Sequence, residues 1–206
     1  MVNFFFDQKK IFIVTLIFYL FFLKFNNISD GFWYDEWHTF YYSNPTFIEK
    51  GNLIELVRNS VAPPLYFILN SIVYKIFGYE PEIGRNFSFF FNILSFVTLY
   101  LILKNNFSKK KQYFVLSGYL LNYSIIIYSY ELRFYSFNTF ILLINIFFFF
   151  KIVDCLNKKN IIIYFVTSLI CLSSNYFLLP IILFQFMYLL FLKKNLIYFY
   201  NRYKKN

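Results

Sequence analysis

The chain has 206 residues, of which 59% are hydrophobic, 27% aromatic and only 15% charged, with a formal net charge of +10. That is too apolar for an ordinary water-soluble domain, so an all-α integral membrane protein is expected. The positive charge does not imply nucleic acid, because it falls in short clusters between apolar segments (Lys9-Lys10, Lys109-Lys110-Lys111, Lys158-Lys159, Lys193-Lys194, Lys204-Lys205), the footprint of positive-inside topology.

In chain order, the first apolar stretch runs from about Ile11 to Ile28. It follows two lysines like a signal-peptide core, but no small-residue cleavage site comes after it, which favours an uncleaved span. Five more stretches, about Asn86 to Leu103, Tyr113 to Tyr130, Phe134 to Phe150, Ile161 to Leu178 and Leu179 to Leu192, are near the minimum helical length for crossing a bilayer. Helices are expected because backbone amides in hydrocarbon must be satisfied within the segment.

A seventh stretch, Pro63 to Phe77, is short and carries Asn70 and Lys75. Were it a span, the later lysine clusters would face away from Lys9-Lys10; as an interfacial or re-entrant helix with a Pro-Pro start it leaves every cluster on one side. About six spans and a single domain, residues 1–206, are therefore expected. Residues 27–85 become one long external loop, holding seven of the ten acids: Asp30, Asp35, Glu36, Glu49, Glu55, Glu80 and Glu82. Short interfacial helices are expected in it near Glu36 to Ser43 and Thr46 to Asn59, and the Tyr130 to Tyr135 junction emerges on the same face.

Within "GFWYDEWHTFYYS", Asp35 and Glu36 admit two readings: acids in the first turn of a helix, or a general base at the membrane surface, partly desolvated by Trp33, Tyr34 and Trp37. His38, three residues after Asp35, is a candidate pocket residue; with no second ligand at i+4 it does not suggest zinc. Glu131 and Arg133 lie at a lipid boundary, where each could simply snorkel or could serve the external site, Glu131 assisting Asp35 and Arg133 binding a phosphate. Arg85 and Arg58 are further candidates for an anionic headgroup, since a guanidinium fork matches a phosphate. Cys155 and Cys171 have neither metal-site nor redox spacing and read as packing residues. No phosphate loop, nucleophile elbow or zinc-protease pair is present in the sequence.

The ordered stretches "WYDEWHTFYY", "APPLYFILNSIVYKIFGYEPEIGRNFSFFFNILS", "YSYELRFYSFNTFILL" and "SSNYFLLP" make the chain resemble the N-terminal half of the membrane-embedded GT-C glycosyltransferases. The nearest group is the dolichyl-phosphate-mannose protein mannosyltransferase-like one that includes bacterial lipid A aminoarabinose transferases, and the resemblance covers about Ile11 to Leu192. It implies a GT-C fold in which Asp35 is the catalytic base with Glu36 as companion, Glu131 and Arg133 form the second motif, and Arg85 contacts donor phosphate. Tyr66 and Tyr135, inside the resembling stretches, join His38 as candidate pocket residues. The chain departs from the pattern at Ala62 and Asn175, where relatives of this kind often carry His or Lys and His respectively, and it stops after six expected spans, short of the full family length.

The resemblance further implies a polyprenyl-phosphate sugar donor, a lipid, glycan or protein acceptor, and an inner-membrane location with the active loop facing the periplasm. No cofactor is implied and a divalent metal is left open. A second polypeptide supplying further spans, a non-catalytic remnant, and a transporter or flippase are the other classes compatible with the sequence; the boundary position of the charges argues against the last.

Overall fold

The computed structural model describes residues 8–26, 33–49, 63–155 and 157–203, and among these every regular element is helical. The helices are α1 (Gln8–Asn26), α2 (Tyr34–Tyr42), α3 (Pro45–Glu49), α4 (Leu65–Phe77), α5 (Pro81–Asn106), α6 (Lys109–Leu120), α7 (Tyr123–Tyr128), α8 (Tyr135–Asp154), α9 (Lys158–Ser174) and α10 (Leu179–Tyr203), with a 3-10 turn at Tyr176–Leu178. Local chemistry sets the boundaries. Gly78, at φ 107°, turns the chain out of α4 in a conformation that side-chain-bearing residues avoid. Pro81 then opens α5, where its missing N–H is no loss.

α5 and α8 are long and apolar enough to cross a membrane, with mean hydropathies of 1.8 and 1.9. At 1.5 Å per residue they reach roughly 39 Å and 30 Å, against a hydrocarbon core of about 30 Å. Six spans were expected; the other described helices are shorter or more charged. α1 carries Lys9, Lys10 and Lys24. The stretch from Tyr113 to Tyr130 is not one helix: Asn122 accepts hydrogen bonds from the N–H groups of Ser124 (3.0 Å) and Ile125 (3.2 Å), which ends α6 and starts α7. Asn175 does the same after α9, accepting from the N–H of Phe177 at 2.9 Å.

The expected interfacial helix is α4, at 13 residues too short to span. The expected loop helices correspond to α2 and α3, the latter followed only to Glu49; its expected continuation to Asn59 lies outside the described residues.

α8 packs between α5 and α9, α4 packs on α5, and α6 lies beside α1. One core cluster joins Tyr66, Phe91, Phe137, Ile141, Cys171 and Ile182; a second joins Tyr19, Leu120 and Ile126. Cys171 is thus a packing residue, and Cys155 is exposed. Among the described residues, buried side chains are as often polar as apolar, while Val14, Ile17, Phe165, Leu169, Phe184 and Met187 face outward. Such a surface is unfavourable in water and neutral against lipid tails, whereas buried amides and hydroxyls join helices. Asn145 on α8 shows the second effect, donating to Ser168 (2.8 Å) and Thr167 (3.3 Å) of α9.

Candidate functional site

α2 begins where Trp33 takes an extended conformation, and Glu36 on its first turn reaches back to the Trp33 N–H at 3.4 Å. That is the glutamate half of a capping box. The same carboxylate accepts a two-pronged bond from Arg85, Nε to Oε1 at 3.0 Å and Nη2 to Oε2 at 2.8 Å, and one from the backbone N–H of Leu132 at 2.8 Å. Glu36 therefore joins three segments 49 and 96 residues apart. Its side chain is only 2% exposed and that of Arg85 14%. The pair is a buried, doubly bonded ion pair whose geometry offsets the desolvation of both charges.

Asp35 is placed differently. Its side chain is 63% exposed, and one carboxylate oxygen lies 3.3 Å from Nη2 of Arg133. Arg133 Nη1 donates to the Asp35 carbonyl at 3.0 Å, Nη2 donates to the Tyr135 hydroxyl at 3.3 Å, and the guanidinium sits over the Phe134 and Tyr135 rings. Its Nε is buried and unpartnered.

The junction carrying Glu131 and Arg133 is a bend between α7 and α8, so both residues can serve one site although they are two apart. Burial raises the Glu131 carboxyl to about 7, and the negative charge of Glu36 adds to the rise. Around one bend stand an exposed carboxylate, a carboxyl raised to about 7 and a guanidinium held between Asp35 and Tyr135. That set can move a proton and hold an anion.

The remaining expected residues are distributed as follows. Arg85 is committed to Glu36 by two donors, which makes it a brace for the site. Tyr66 is fully buried, its ring near Phe87 and Phe137 and its hydroxyl 2.7 Å from the Ser88 hydroxyl. It supports the junction from below, since Ser88 in turn lies 3.4 Å from the Arg133 carbonyl. His38 is half-buried against the rings of Tyr42 and Phe67. Tyr135 lines a cavity of about 250 Å³ that borders α7, the first turns of α8 and Asn175. Arg58 lies outside the described residues. Among the described residues, no three His, Cys, Asp or Glu side chains are grouped to share a metal ion.

Sequence reading missed Asn138, Ser88 and the Leu132 N–H. The first two carry a legible signal, a polar residue inside an apolar helix, where such groups are rare and need a reason. The third is a backbone donor and leaves no trace in the sequence. No protein-family model, curated protein or solved structure matches the chain.

Proposed function

We propose that the chain is a multi-pass membrane glycosyltransferase of the GT-C kind, embedded in the inner membrane through about six spans. It moves a sugar from a polyprenyl-phosphate donor to a lipid, glycan or protein acceptor at the periplasmic face, with inversion. The observation that supports this best is the meeting of two acidic motifs distant in sequence: Glu36 accepts from the Leu132 N–H, and Asp35 contacts Arg133.

Asp35, the exposed carboxylate, takes the proton of the acceptor hydroxyl or amine as that atom bonds to the anomeric carbon. The bond from that carbon to the phosphate oxygen breaks on the opposite face, and the lipid phosphate leaves with the electron pair. Arg133 stabilises the departing phosphate, and its contact with Asp35 keeps base and anion site in register. Glu131, poised near neutrality, is a second proton acceptor. The donor's polyprenyl tail stays in the bilayer while its head reaches the bend.

The test is transfer by the full chain, reconstituted in vesicles with a short polyprenyl-phosphate sugar. Asp35→Asn is expected to lower the rate about 10²- to 10⁴-fold, as for loss of a general base, with no change in thermal unfolding. A variant that keeps its rate removes Asp35 from the chemistry.

A further inference from the structure

Between α1 and α5 runs a groove of about 140 Å³, walled by Leu16, Leu20, Phe89, Ile93 and Phe96. Leu20 and Ile93 are exposed, so the groove is open on its outer side. At 1.5 Å per residue, Phe89 to Phe96 lie roughly 12–22 Å along α5 from Pro81, inside a hydrocarbon core of about 30 Å when that helix crosses the bilayer. The medium around the groove at that depth is lipid chain.

Polar groups close its inner end. Asn92 of α5 is buried; its amide nitrogen donates to the Tyr19 hydroxyl of α1 at 2.7 Å, and its amide oxygen accepts from the Tyr119 hydroxyl of α6 at 2.9 Å. Asn92 and Tyr119 also border the cavity of about 250 Å³ beside Tyr135, so these two side chains stand between the groove and that mostly apolar cavity. The Tyr135 hydroxyl in turn accepts from Arg133 at the bend. Side-chain hydrogen bonds between membrane helices are worth only about 0.6–2 kcal/mol, so the Tyr119 ring can leave Asn92 at modest cost.

We infer that the groove binds one acyl chain of a bilayer phospholipid, and that the Asn92–Tyr119 bond is a latch that stops this chain short of the cavity beside Tyr135. With the latch open, groove and cavity join into one passage from the bilayer to the wall at Tyr135. A phospholipid is the occupant that the surroundings favour, because its chains are the medium at that depth, and a chain seated between α1 and α5 gains van der Waals contact on both sides. The inference needs α5 in the bilayer but not the transfer reaction, so either can fail without the other.

The full chain is to be placed in vesicles of phosphatidylcholine carrying a photoreactive diazirine midway along one acyl chain, irradiated, and its labelled residues identified by mass spectrometry. Leu16 and Phe96, half-buried in the groove, should be labelled about threefold more than Phe165 and Leu169, which face outward from α9. Leu142 and Leu178, in the cavity wall, should stay unlabelled. Tyr119→Phe keeps the ring but removes the hydroxyl that holds it, and should let the label reach Leu142 and Leu178. Leu20→Trp fills the rim without touching the latch; it should bring Leu16 and Phe96 below Phe165 and Leu169, and it covers the case in which the Tyr119 variant fails to fold.

Labelling of Leu16 and Phe96 no stronger than that of Phe165 and Leu169 would mean contact with bulk lipid only, and the bound chain falls. Labelling of Leu142 and Leu178 in the wild type, or its absence in folded Tyr119→Phe, would overturn the latch. In a parallel run with photoreactive polyprenyl phosphate in plain phosphatidylcholine vesicles, labelling of the groove by that lipid but not by the phospholipid would overturn the occupant. A preferentially labelled groove in a chain that transfers no sugar leaves the inference standing.

Discussion

Three carboxylates stand within one small region, and their surroundings divide the work among them. Glu36 has its oxygens occupied by Arg85, Leu132 and Trp33, whereas Asp35 next to it in sequence faces solvent. Glu131 lies between these extremes, and burial raises its carboxyl to about 7. Because this folded-state value exceeds the ordinary glutamate value of about 4.5, the folded chain binds more protons than the unfolded one between about pH 4.5 and 7. Stability should therefore fall as pH rises through that window. Glu131→Gln should flatten the dependence and raise the unfolding temperature at pH 8, by only a modest margin because the group is half-exposed to screening solvent. If Glu131 accepts a proton during transfer, the wild-type rate should climb to a plateau above about pH 7, and the Gln variant should lose that limb.

At the scale of elements, the Glu36–Arg85 pair fastens α2 to α5 and to the bend before α8. Glu36→Gln leaves Arg85 buried beside a neutral amide and should destabilise the chain by about 3–5 kcal/mol, read from unfolding in detergent micelles. Replacing both residues, Glu36→Leu with Arg85→Leu, should cost less than the single change, since no unpaired charge remains. Gly84 shows the same fastening by shape: a methyl group there would collide with the Tyr74 hydroxyl and with Leu132. Gly84→Ala should cost about 1–3 kcal/mol through overpacking, measured in the same way.

These elements also mark where sequence was sufficient. The short helix after Pro-Pro and the acids in the first turn of α2 follow from local composition, and both are present. Which acid of the pair is buried does not follow, because the decision is made by Arg85 and the Leu132 N–H, contributed by remote segments. The division of Tyr113 to Tyr130 at Asn122 was in principle legible, since an Asn followed by helix-forming residues is a cap signal. Hydropathy averaged over the stretch conceals it. Asn138 was visible as a residue, but the space beside it exists only once α7, α8 and Asn175 come together.

On the scale of the whole molecule, α5 and α8 point the same way. Each starts at the Glu36 cluster, with Arg85 or Arg133, and each ends near lysines, Lys109-Lys110-Lys111 after α5 and Lys158-Lys159 after α8. The return between them is made by α6 and α7, whose contacts with α1 and α5 are fixed by Asn92 bonded to both Tyr19 (2.7 Å) and Tyr119 (2.9 Å). The chain thus has an acid-and-arginine end and a lysine end. In sealed right-side-out vesicles, a membrane-impermeant thiol reagent should label exposed Cys155 only after permeabilisation. A cysteine introduced as Trp37→Cys in a Cys155→Ser background should be labelled at once, and the reverse pattern would overturn the proposed orientation.

The reach of Glu36 has a consequence for biosynthesis. A ribosome releases this glutamate long before it has joined the residue whose N–H completes its bonding, 96 positions later. Until then Arg85 alone of the two remote partners is available to the carboxylate, and the bend cannot settle against α2. The site at the bend is thus completed only after Leu132 has been translated, so nascent chains arrested before Arg85 should leave Asp35 and Glu36 equally reactive toward carboxyl-modifying reagents, and Glu36 should become protected as Arg85 and then Leu132 arrive.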